Sequence, residues 1–271
     1  GRTDRMRERE RWRLILEAVA EQHVVTIRDL ERLLRASSAT VRRDLQRLET
    51  EGKLRRVHGG AEAIDALKKH DLVGQEPFER ARLKHLQEKR AIAKRAAALC
   101  EDDASVIIDG GTTTYLMVEY LRDRNLQILT SSFPIAAALI EQGQAHVIVP
   151  GGEIYRQQQV ILSPFHDGII GSFFAKKMFM GAQAITPAGL MQTDPILVQS
   201  EKRLMERAEQ IIALVDSSKF VQTGGLILCP INEVDTIITD SNAPKSALDM
   251  LKDAGVEVIL VPAPRSKAAA A

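Results

Sequence analysis

The spacing of apolar residues changes about a quarter of the way along the chain. Up to about residue 61, apolar side chains recur three and four positions apart and predict three helices, at about residues 5–21, 27–34 and 38–50. From about residue 79 onward, short unbroken runs of Val, Ile and Leu alternate with helical stretches. Such runs are typical of strands buried on both faces of a mainly parallel sheet. The pattern therefore predicts two domains, residues 1–61 and an α/β domain at residues 79–264, joined by a linker at 62–78.

Seven apolar runs are the predicted strands of this sheet. They lie at residues 106–108, 127–129, 147–149, 177–180, 211–215, 236–239 and 256–261. A helical pattern over about residues 79–100 precedes the first run, and stretches 115–122, 134–142, 198–209 and 244–253 predict helices between the others.

The third helix of the first domain has the pattern of a DNA-recognition helix. Ser37 is a suitable N-cap, and Val41, Leu45 and Leu48 form one apolar stripe. The opposite face carries small residues, which allow close approach to a groove, and arginines, which reach phosphates or guanine edges. In the second helix, Thr26 is the predicted cap, and the predicted inward residues are Ile27, Leu30, Leu33 and Leu34.

A basic segment follows Gly52, which is placed to end the recognition helix. In residues 53–60, Leu54 and Val57 are spaced to hold a short strand pair, while the basic residues point outward. We interpret this segment as a wing, a hairpin beside a helix-turn-helix that contacts the neighbouring DNA backbone or minor groove. The predicted DNA-binding residues are Ser37, Ser38, Thr40, Arg42, Arg43, Lys53, Arg55, Arg56 and His58.

The charge distribution fits this division. Residues 1–61 carry 15 Lys and Arg against 10 Asp and Glu, a net charge of +5, whereas the remainder carries 22 against 26, a net charge of −4. A basic head on a mildly acidic body suits a polyanion-binding module joined to a regulatory domain. The alternative for residues 5–13 alone is a solvated arginine-rich helix.

Metal, redox and membrane chemistry are not indicated. Cys100 and Cys229 are far apart and form no CxxC motif, the histidines show no ligand spacing, and no apolar run is long enough to span a bilayer. The two cysteines are expected to be buried reduced thiols, which together with the lack of a signal peptide predicts a cytoplasmic protein. We predict no metal, no cofactor and no catalytic residue.

Polar turns follow most of the predicted strands. Asp109 to Thr114 follow the first, with two glycines that allow close backbone approach and three hydroxyls that suit a phosphate; taken alone, the same turn is equally well explained as a tight turn with an N-cap. Parallel α/β sheets bind ligands at the carboxyl ends of their strands, so these turns predict a phosphorylated polyol as ligand. The predicted ligand-binding residues are Asp109, Gly110, Gly111, Thr112, Thr113, Thr114, Ser131, Ser132, Gly152, Glu153, Gln183, Glu201, Asp216 and Lys219.

Glu201 and Lys202 lie in a predicted helix and have two interpretations. Most charged helix residues are exposed, which favours a solvated pair, and projection into the cleft is the alternative.

The sequence resembles the DeoR-type bacterial transcriptional regulators. The head carries Thr26-Ile27-Arg28-Asp29-Leu30, Ser38-Ala39-Thr40-Val41-Arg42-Arg43-Asp44-Leu45, Leu48-Glu49, Gly52-Lys53-Leu54 and Arg56-Val57-His58-Gly59-Gly60-Ala61. The body carries Asp109-Gly110-Gly111-Thr112-Thr113-Thr114, Gly151-Gly152, Gly181 and Asp216-Ser217-Ser218-Lys219-Phe220. The resemblance implies a winged helix-turn-helix domain, a linker helix and a sensor similar to ribose-5-phosphate isomerase, with the phosphate loop at Gly111 to Thr114 and the family's lysine at Lys219.

The chain also departs from the family pattern. Many members have Gly-Ala-Asp-Gly after the fourth strand, where this chain has Gly181-Ala182-Gln183-Ala184, so an amide replaces a carboxylate that would grip a sugar hydroxyl. The segment from Gly189 to Pro195 is unusual too. The segment Gly60-Ala61-Glu62-Ala63-Ile64 and the turn from Asp216 to Lys219 are similar to the branch responding to ascorbate 6-phosphate, which adds sugar acids to the candidate effectors.

The resemblance implies a repressor of a carbohydrate-catabolism operon that is released from operator DNA by a phosphorylated sugar or sugar acid, and that forms a homodimer or homotetramer. Two alternatives stay open at this stage. One is a sugar-phosphate isomerase fused to a nucleic-acid-binding head, with Glu153 or Asp109 as the base. The other is an architectural protein that binds DNA without sequence preference, although that alternative leaves the large body unexplained.

Overall fold

The computed structural model describes residues 8–22, 24–57, 59–62, 78–163, 168–222 and 225–263. The chain divides into two compact units, Gly1–Val73 and Gly74–Ala271. Residues 63–77, which make up most of the predicted linker, lie outside the described residues, as does His58. The exact bounds of the two domains therefore stay a prediction.

The first unit combines three helices with a small antiparallel sheet. Its elements are α1 (Glu8–Gln22), β1 (Val24–Thr26), α2 (Ile27–Leu34), α3 (Ser38–Thr50), β2 (Arg55–Val57) and β3 (Gly60–Glu62). The strands are ordered β1-β3-β2, so the hairpin β2–β3 is the predicted wing and β1 extends it by an unpredicted third strand.

Capping residues fix the ends of the two helices of the helix-turn-helix. Thr26 accepts a hydrogen bond from the Asp29 N–H at the start of α2, and Ser37 accepts one from the Thr40 N–H at the start of α3. Gly52, at φ +68°, follows the end of α3 in the left-handed conformation that favours glycine. The predicted helix bounds at 27–34 and 38–50 are confirmed. The prediction for Leu33 is wrong, because its side chain is 46% exposed.

The second unit is built on a seven-stranded parallel sheet in the order β15-β14-β12-β9-β4-β5-β6. Its strands are β4 (Ser105–Ile108), β5 (Gln127–Leu129), β6 (His146–Ile148), β9 (Ala175–Met180), β12 (Ala208–Leu214), β14 (Thr236–Asp240) and β15 (Glu257–Val261). All seven predicted strands are therefore present in one parallel sheet, and the predicted fold class is confirmed.

Helices cover both faces of this sheet. They are α4 (Phe78–Ala81), α5 (Leu86–Ala97), α6 (Thr112–Tyr115), α7 (Val118–Leu121), α8 (Phe133–Gln142), α9 (Ile169–Ser172), α10 (Pro195–Met205) and α11 (Lys245–Asp253). Alternate residues of each strand enter two separate cores, as when Val106 and Ile108 join one and Ile107 joins the other. This alternation explains why the strands read as unbroken apolar runs.

Some elements differ from the prediction. The single helix expected over about 79–100 is two helices, because His85 adopts a left-handed conformation at φ +50° before α5. The helix expected at 198–209 runs from Pro195 to Met205, and residues 208–214 are already strand β12. Two small sheets were not predicted: the hairpin of β7 (Glu153–Tyr155) with β8 (Val160–Leu162), and the sheet of β10 (Ala184–Thr186), β11 (Gly189–Gln192) and β13 (Leu226–Cys229).

Candidate functional site

The outer face of α3 is open to solvent along its length. Arg42 and Arg43 are exposed, and Ser38 and Thr40 are half-buried near the start of the helix. Arg42 donates a weak 3.4 Å hydrogen bond to Ser38, whereas Arg43 has no ion pair within the part of the chain that the structure describes. The face therefore presents two cations and small polar side chains, the set that reads base edges and phosphates.

The inner face of α3 is fixed to α1 by a buried carboxylate. Asp44 accepts hydrogen bonds from Arg11 Nε at 2.7 Å, from Arg11 Nη2 at 3.1 Å and from Trp12 Nε1 at 3.0 Å. The hydrogen bond to Asp44 raises the pKa of Arg11 above its ordinary value. Asp44 is buried with Val41, Leu45 and Leu48 and so sets the angle at which α3 is presented.

The wing is tied to α3 by two acidic residues. Glu49 accepts from the Arg56 N–H at 2.9 Å, and Glu51 pairs with Lys53 Nζ at 2.7 Å. The predicted DNA-binding cations Lys53, Arg55 and Arg56 are all exposed, although Lys53 and Arg56 are partly neutralised by these acids. His58 lies outside the described residues, and its predicted role stays a prediction.

The sensor sheet has a single reversal of strand order between β4 and β9. From β4 the chain adds β5 and β6 on one side and then β9, β12, β14 and β15 on the other. A crevice forms where the turns beyond two such neighbouring strands diverge, and ligands of α/β proteins bind there. The turns beginning at Asp109, after β4, and at Gly181, after β9, flank this position.

Asp109 is buried at the start of the turn that follows β4. Its N–H donates to the Phe179 carbonyl at 2.9 Å, and its carboxylate accepts from Ser131 Oγ at 3.3 Å. The side chain is only 4% exposed, and burial raises its pKa to about 6, against the opposing effect of the Gly110 N–H and Ser131. A carboxylate surrounded by neutral donors can accept further hydrogen bonds from a polyol.

The hairpin β7–β8 closes over the glycines that follow Asp109. A Cβ at Gly110 would lie 2.5 Å from Val160 Cγ1, so only glycine allows this approach. The hairpin is held by the Ile161 N–H, which donates to the Ser131 carbonyl at 2.6 Å. Of the three threonines, Thr114 donates to the Gly111 carbonyl at 3.0 Å and so stabilises its own turn.

Glu201 lies in the buried interior and not on a solvated helix face. Its side chain is 7% exposed, whereas Lys202 is exposed, so the solvated-pair interpretation is wrong for Glu201. Gln192 Nε2 donates to Glu201 Oε1 at 2.8 Å. Burial, and next the charge of Asp109, raise the pKa of Glu201 well above its ordinary value.

Asp216 and Lys219 occupy the turn after β12. Asp216 is buried and accepts from the Ser218 N–H at 3.1 Å as the cap of the 3-10 helix Ser217–Phe220, in which Lys219 is half-buried. β12 is the neighbour of β9, so this turn lies at the same edge of the sheet as the crevice.

The other predicted residues have mixed surroundings. Ser132 is buried and caps α8 by accepting from the Ile135 N–H. Gln183 is half-buried and its N–H donates to the Met191 carbonyl at 3.0 Å. Glu153 is exposed on β7, where it faces Leu162, and Gly152 lies next to it with no room for a Cβ.

Several contacts were not found from the sequence. Asp44 was not assigned its structural role, although an aspartate on the apolar face of a helix signals a buried partner. Gln192 and Asp194 lie in the segment from Gly189 to Pro195 that departs from the family pattern, and Val160 lies in the short strand β8, which the sequence does not predict. The contacts of Asp44 and Val160 join residues distant in sequence, which spacing alone does not reveal, whereas Asp194 acts locally by accepting from the Ile196 N–H at the start of α10.

Comparison with known proteins decides the family. A model described as the DeoR-like helix-turn-helix domain matches residues 11–66, and one described as the DeoR C terminal sensor domain matches residues 84–241. The regulators named HTH-type transcriptional regulator UlaR from Shigella dysenteriae and from Salmonella arizonae are each 32% identical over 257 residues, 94% of this chain and 100% of theirs. The chain belongs to the DeoR family.

This DeoR-family protein is therefore a DNA-binding transcriptional regulator with a sensor domain, as the sequence predicts. The relatives that it resembles are named transcriptional regulators, which favours a regulator over the alternative of a sugar-phosphate isomerase. Within the described ranges, no group of His, Cys, Asp or Glu side chains is arranged to hold a metal ion. A separate search of those ranges finds no helix with the length and apolar character needed to cross a bilayer.

Solved structures resemble parts of the chain only weakly. Ribose 5-phosphate isomerase A from Methanocaldococcus jannaschii has a TM-score of 0.36 at 17% identity, covering 49% of this chain and 53% of its own. The eIF2B beta subunit from Chaetomium thermophilum has a TM-score of 0.40 at 16% identity, covering 56% of this chain and 48% of its own. With scores below 0.5, neither supports an inference about activity.

Proposed function

We propose that the protein is a repressor of a carbohydrate-catabolism operon and that a phosphorylated sugar or sugar acid releases it from its operator. The observation that carries the proposal is the buried, neutral-lined Asp109 beside a glycine-rich turn at the reversal of strand order. A small polar ligand can bind in such a crevice of the sensor and thereby change the affinity of the regulator for DNA.

In this proposal, DNA is read by α3 and held by the wing. Arg42 and Arg43, with Ser38 and Thr40 beside them, face the major groove and its flanking phosphates. Lys53, Arg55, Arg56 and His58 contact the neighbouring backbone. Because one head covers only a few base pairs, the protein acts as a homodimer or homotetramer on repeated half-sites. Its place of action is the cytoplasm, where bacterial DNA lies.

The effector lies across the carboxyl ends of β4, β9 and β12. The turn from Gly111 to Thr114 and the side chain of Lys219 bind the phosphate, because backbone N–H groups, hydroxyls and a cation suit an anion. Asp109, Ser131, Gln183 and Glu201 bind the hydroxyls of the sugar, and Asp216 orients the turn that carries Lys219. Gly152, just before β7, and Glu153, the first residue of β7, border the crevice.

In the sensor, the residue after the proposed phosphate turn, Gly111 to Thr114, contacts the start of α4, which follows the linker. Tyr115, which follows Thr114 in α6, packs edge-on against Phe78 at the start of α4, with ring centroids 5.7 Å apart. A shift of α6 on effector binding changes this contact, and through it the segment that leads to the head. A tenfold loss of operator affinity needs about 1.4 kcal/mol of coupling between the two sites.

The first test is selection of an operator followed by its release. DNA duplexes selected from a random pool should bind at least about 10³-fold more tightly than unselected DNA. A panel of sugar phosphates is then screened for ligands that raise the thermal midpoint and release the selected duplex. Equal affinity for selected and random DNA, as an architectural protein would show, contradicts the proposal.

The second test is Lys219→Ala. The variant should bind the operator normally but need at least about tenfold more effector for half-release, because it loses a charged contact to the phosphate. The control is Lys252→Ala, which removes an exposed lysine at the end of α11 and should leave release unchanged. Normal release of the Lys219 variant would remove this residue from the site.

A further inference from the structure

A cavity lies among the helices on one side of the sensor sheet. Its volume is about 410 Å³, and its walls come from the turn after α4 and from α5, α6, α7 and α8. Small-molecule sites in proteins have volumes of about 300–1,000 Å³. The cavity is therefore of a size that suits a small organic molecule and not a duplex or a folded domain.

This cavity is distinct from the crevice. Arg122 follows α7 ahead of β5, and Gln142 ends α8 ahead of β6, so both lie toward the amino ends of the strands, whereas the crevice lies at their carboxyl ends. The Arg122 carbonyl accepts from the Gln144 N–H at 3.2 Å, which makes the two helix ends neighbours. The lining, as the described residues form it, includes none of the residues predicted to bind the effector.

Three arginines line the cavity, and their internal pairing is weak. The Arg122 side chain is exposed and has no hydrogen bond or ion pair among the described residues. Arg90 Nε lies 3.8 Å from Glu119 Oε2, which is beyond hydrogen-bond distance. Arg82 Nε lies 2.9 Å from Glu79 Oε2 but is not aligned for a hydrogen bond, so this buried donor atom has no hydrogen-bond partner among the described residues. Guanidinium groups with unused donors suit the oxygens of a phosphate or carboxylate.

The charge and the apolar part of the lining narrow the class of ligand. Besides the three arginines, Glu119 is the one acidic residue of the lining within the described residues, so the charged side chains sum to +2. A phosphate monoester carries a charge of about −1.5 to −2 at neutral pH and three strong acceptor oxygens. Much of the remaining wall is apolar, including Leu86, Leu116, Val118 and the ring of Tyr115. A fitting ligand therefore has two parts, a phosphate and an apolar body.

We propose that this cavity is a second ligand site of the sensor and that it binds a small organic phosphate with an apolar or aromatic body. The phosphate is bound by Arg82, Arg90 and Arg122, and the body packs against the apolar wall. The inference does not depend on the proposed effector, because the two sites share no residue. It also asks for a different ligand, since the crevice offers polar groups for the hydroxyls of a sugar and this cavity offers apolar side chains.

Matched probes test the two-part ligand. Phenyl phosphate has both parts, whereas inorganic phosphate lacks the apolar body and phenol lacks the charge. Calorimetric titration of the full-length protein should give at least tenfold tighter binding for phenyl phosphate than for either of the other two. Equal binding of phenyl phosphate and one of the other probes overturns the inference, as does a failure of phenyl phosphate to bind.

Variants of the lining locate the bound probe. Arg90→Gln and Arg122→Gln should each weaken the binding of phenyl phosphate at least about fivefold, because each removes a charge-assisted contact to the phosphate. Both residues are exposed, so the thermal midpoint should stay that of the wild type. The control is Arg95→Gln, which replaces an exposed arginine of α5 that is not part of the lining and should leave binding unchanged.

Three outcomes would overturn the inference and leave the proposed function intact. The first is unchanged binding in both variants of the lining, or equal weakening in the control. The second is loss of binding in Lys219→Ala with normal binding in Arg90→Gln and Arg122→Gln, which would place the probe in the crevice. The third is a smaller sedimentation coefficient for Arg90→Gln or Arg122→Gln, which would show that these arginines serve a contact between copies of the chain.

Discussion

The two units of this protein treat buried carboxylates in opposite ways. In the head, Asp44 receives two hydrogen bonds from Arg11 and one from Trp12, so its charge is compensated within the fold. In the sensor, the described partners of Asp109 and Glu201 are neutral, and one oxygen of Glu201 has none among the described residues. The head therefore uses its buried acid to hold its helices together, whereas under the proposed function the buried acids of the sensor are available to a ligand.

The exposed cations complete this comparison. Lys53 and Arg56 of the head are paired with glutamates, while Arg43 has no ion pair within the described residues. Under the proposed function, a ligand completes the contacts of Arg43 in the head and of Glu201 Oε2 in the sensor, the atom of that carboxyl with no partner among the described residues. DNA phosphates and base edges would satisfy Arg43, and sugar hydroxyls would satisfy Glu201.

The largest expected effect comes from removing the compensated carboxylate. Asp44→Ala removes a buried carboxylate that accepts three hydrogen bonds from Arg11 and Trp12, and should lower the free energy of unfolding of the head by about 3 kcal/mol. Trp12 is the only tryptophan of the chain, so its fluorescence during urea unfolding reports on the head alone. Glu17→Ala, which breaks an exposed pair with Arg13, should change the free energy of unfolding by less than about 0.5 kcal/mol. An equal effect of the two variants would contradict the structural role of Asp44.

The second prediction concerns Asp109, a buried carboxylate without a cationic partner among its described contacts. Removing Asp44 should destabilise the protein, whereas replacing Asp109 should stabilise it relative to the wild type as the pH rises. The pKa of Asp109 is raised from 3.8 to about 6 by burial, so the folded state keeps its proton where the unfolded chain has lost it. Stability from this group is therefore complete below about pH 4 and is lost as the pH rises toward 6. Asp109→Asn does not ionise, so its stability relative to the wild type should increase over this range.

Calorimetric unfolding of the ligand-free protein at several pH values measures this difference. Glu201 and Asp194 lie close by and are present in both proteins. The informative quantity is therefore how the difference in free energy of unfolding between variant and wild type changes with pH. A difference that is constant from pH 4 to pH 7 would show that Asp109 is not titrating in the folded sensor.

The parts of the fold that the sequence predicts correctly depend mostly on patterns among residues that are close in sequence. The bounds of α2 and α3 follow from the caps Thr26 and Ser37, which act within three residues. The seven strands follow from apolar runs, because both faces of a parallel sheet are buried. The hairpin β7–β8 escaped prediction, since its strands are three residues long and partly exposed, and the left-handed His85 that ends the turn before α5 has no sequence signal of its own.

The site is less predictable because its contacts join distant residues. The turn beginning at Asp109 is predicted from its position after a strand, but the burial of Glu201 depends on α10 packing against β13, β11 and β12. The helical pattern itself placed Glu201 beside the exposed Lys202 and favoured a solvated pair. Likewise, nothing in the spacing near Asp44 indicates that Arg11 and Trp12, more than 30 residues earlier, supply its partners.

The smallest expected effect compares two arginines of the recognition helix. Arg43→Ala should weaken operator binding about tenfold and reduce the slope of log affinity against log salt concentration by about 1, because an unpaired cation is free to contact phosphate or base. Arg47→Ala is the matched control, since Arg47 lies over the Trp12 ring at 5.3 Å and 3.6 Å from Glu8, and is thereby held within the head. It should change the salt slope little. Titrations of the selected operator at several salt concentrations decide between them, and an equal change of slope in both variants would mean that internal pairing does not determine which cations of α3 reach the DNA.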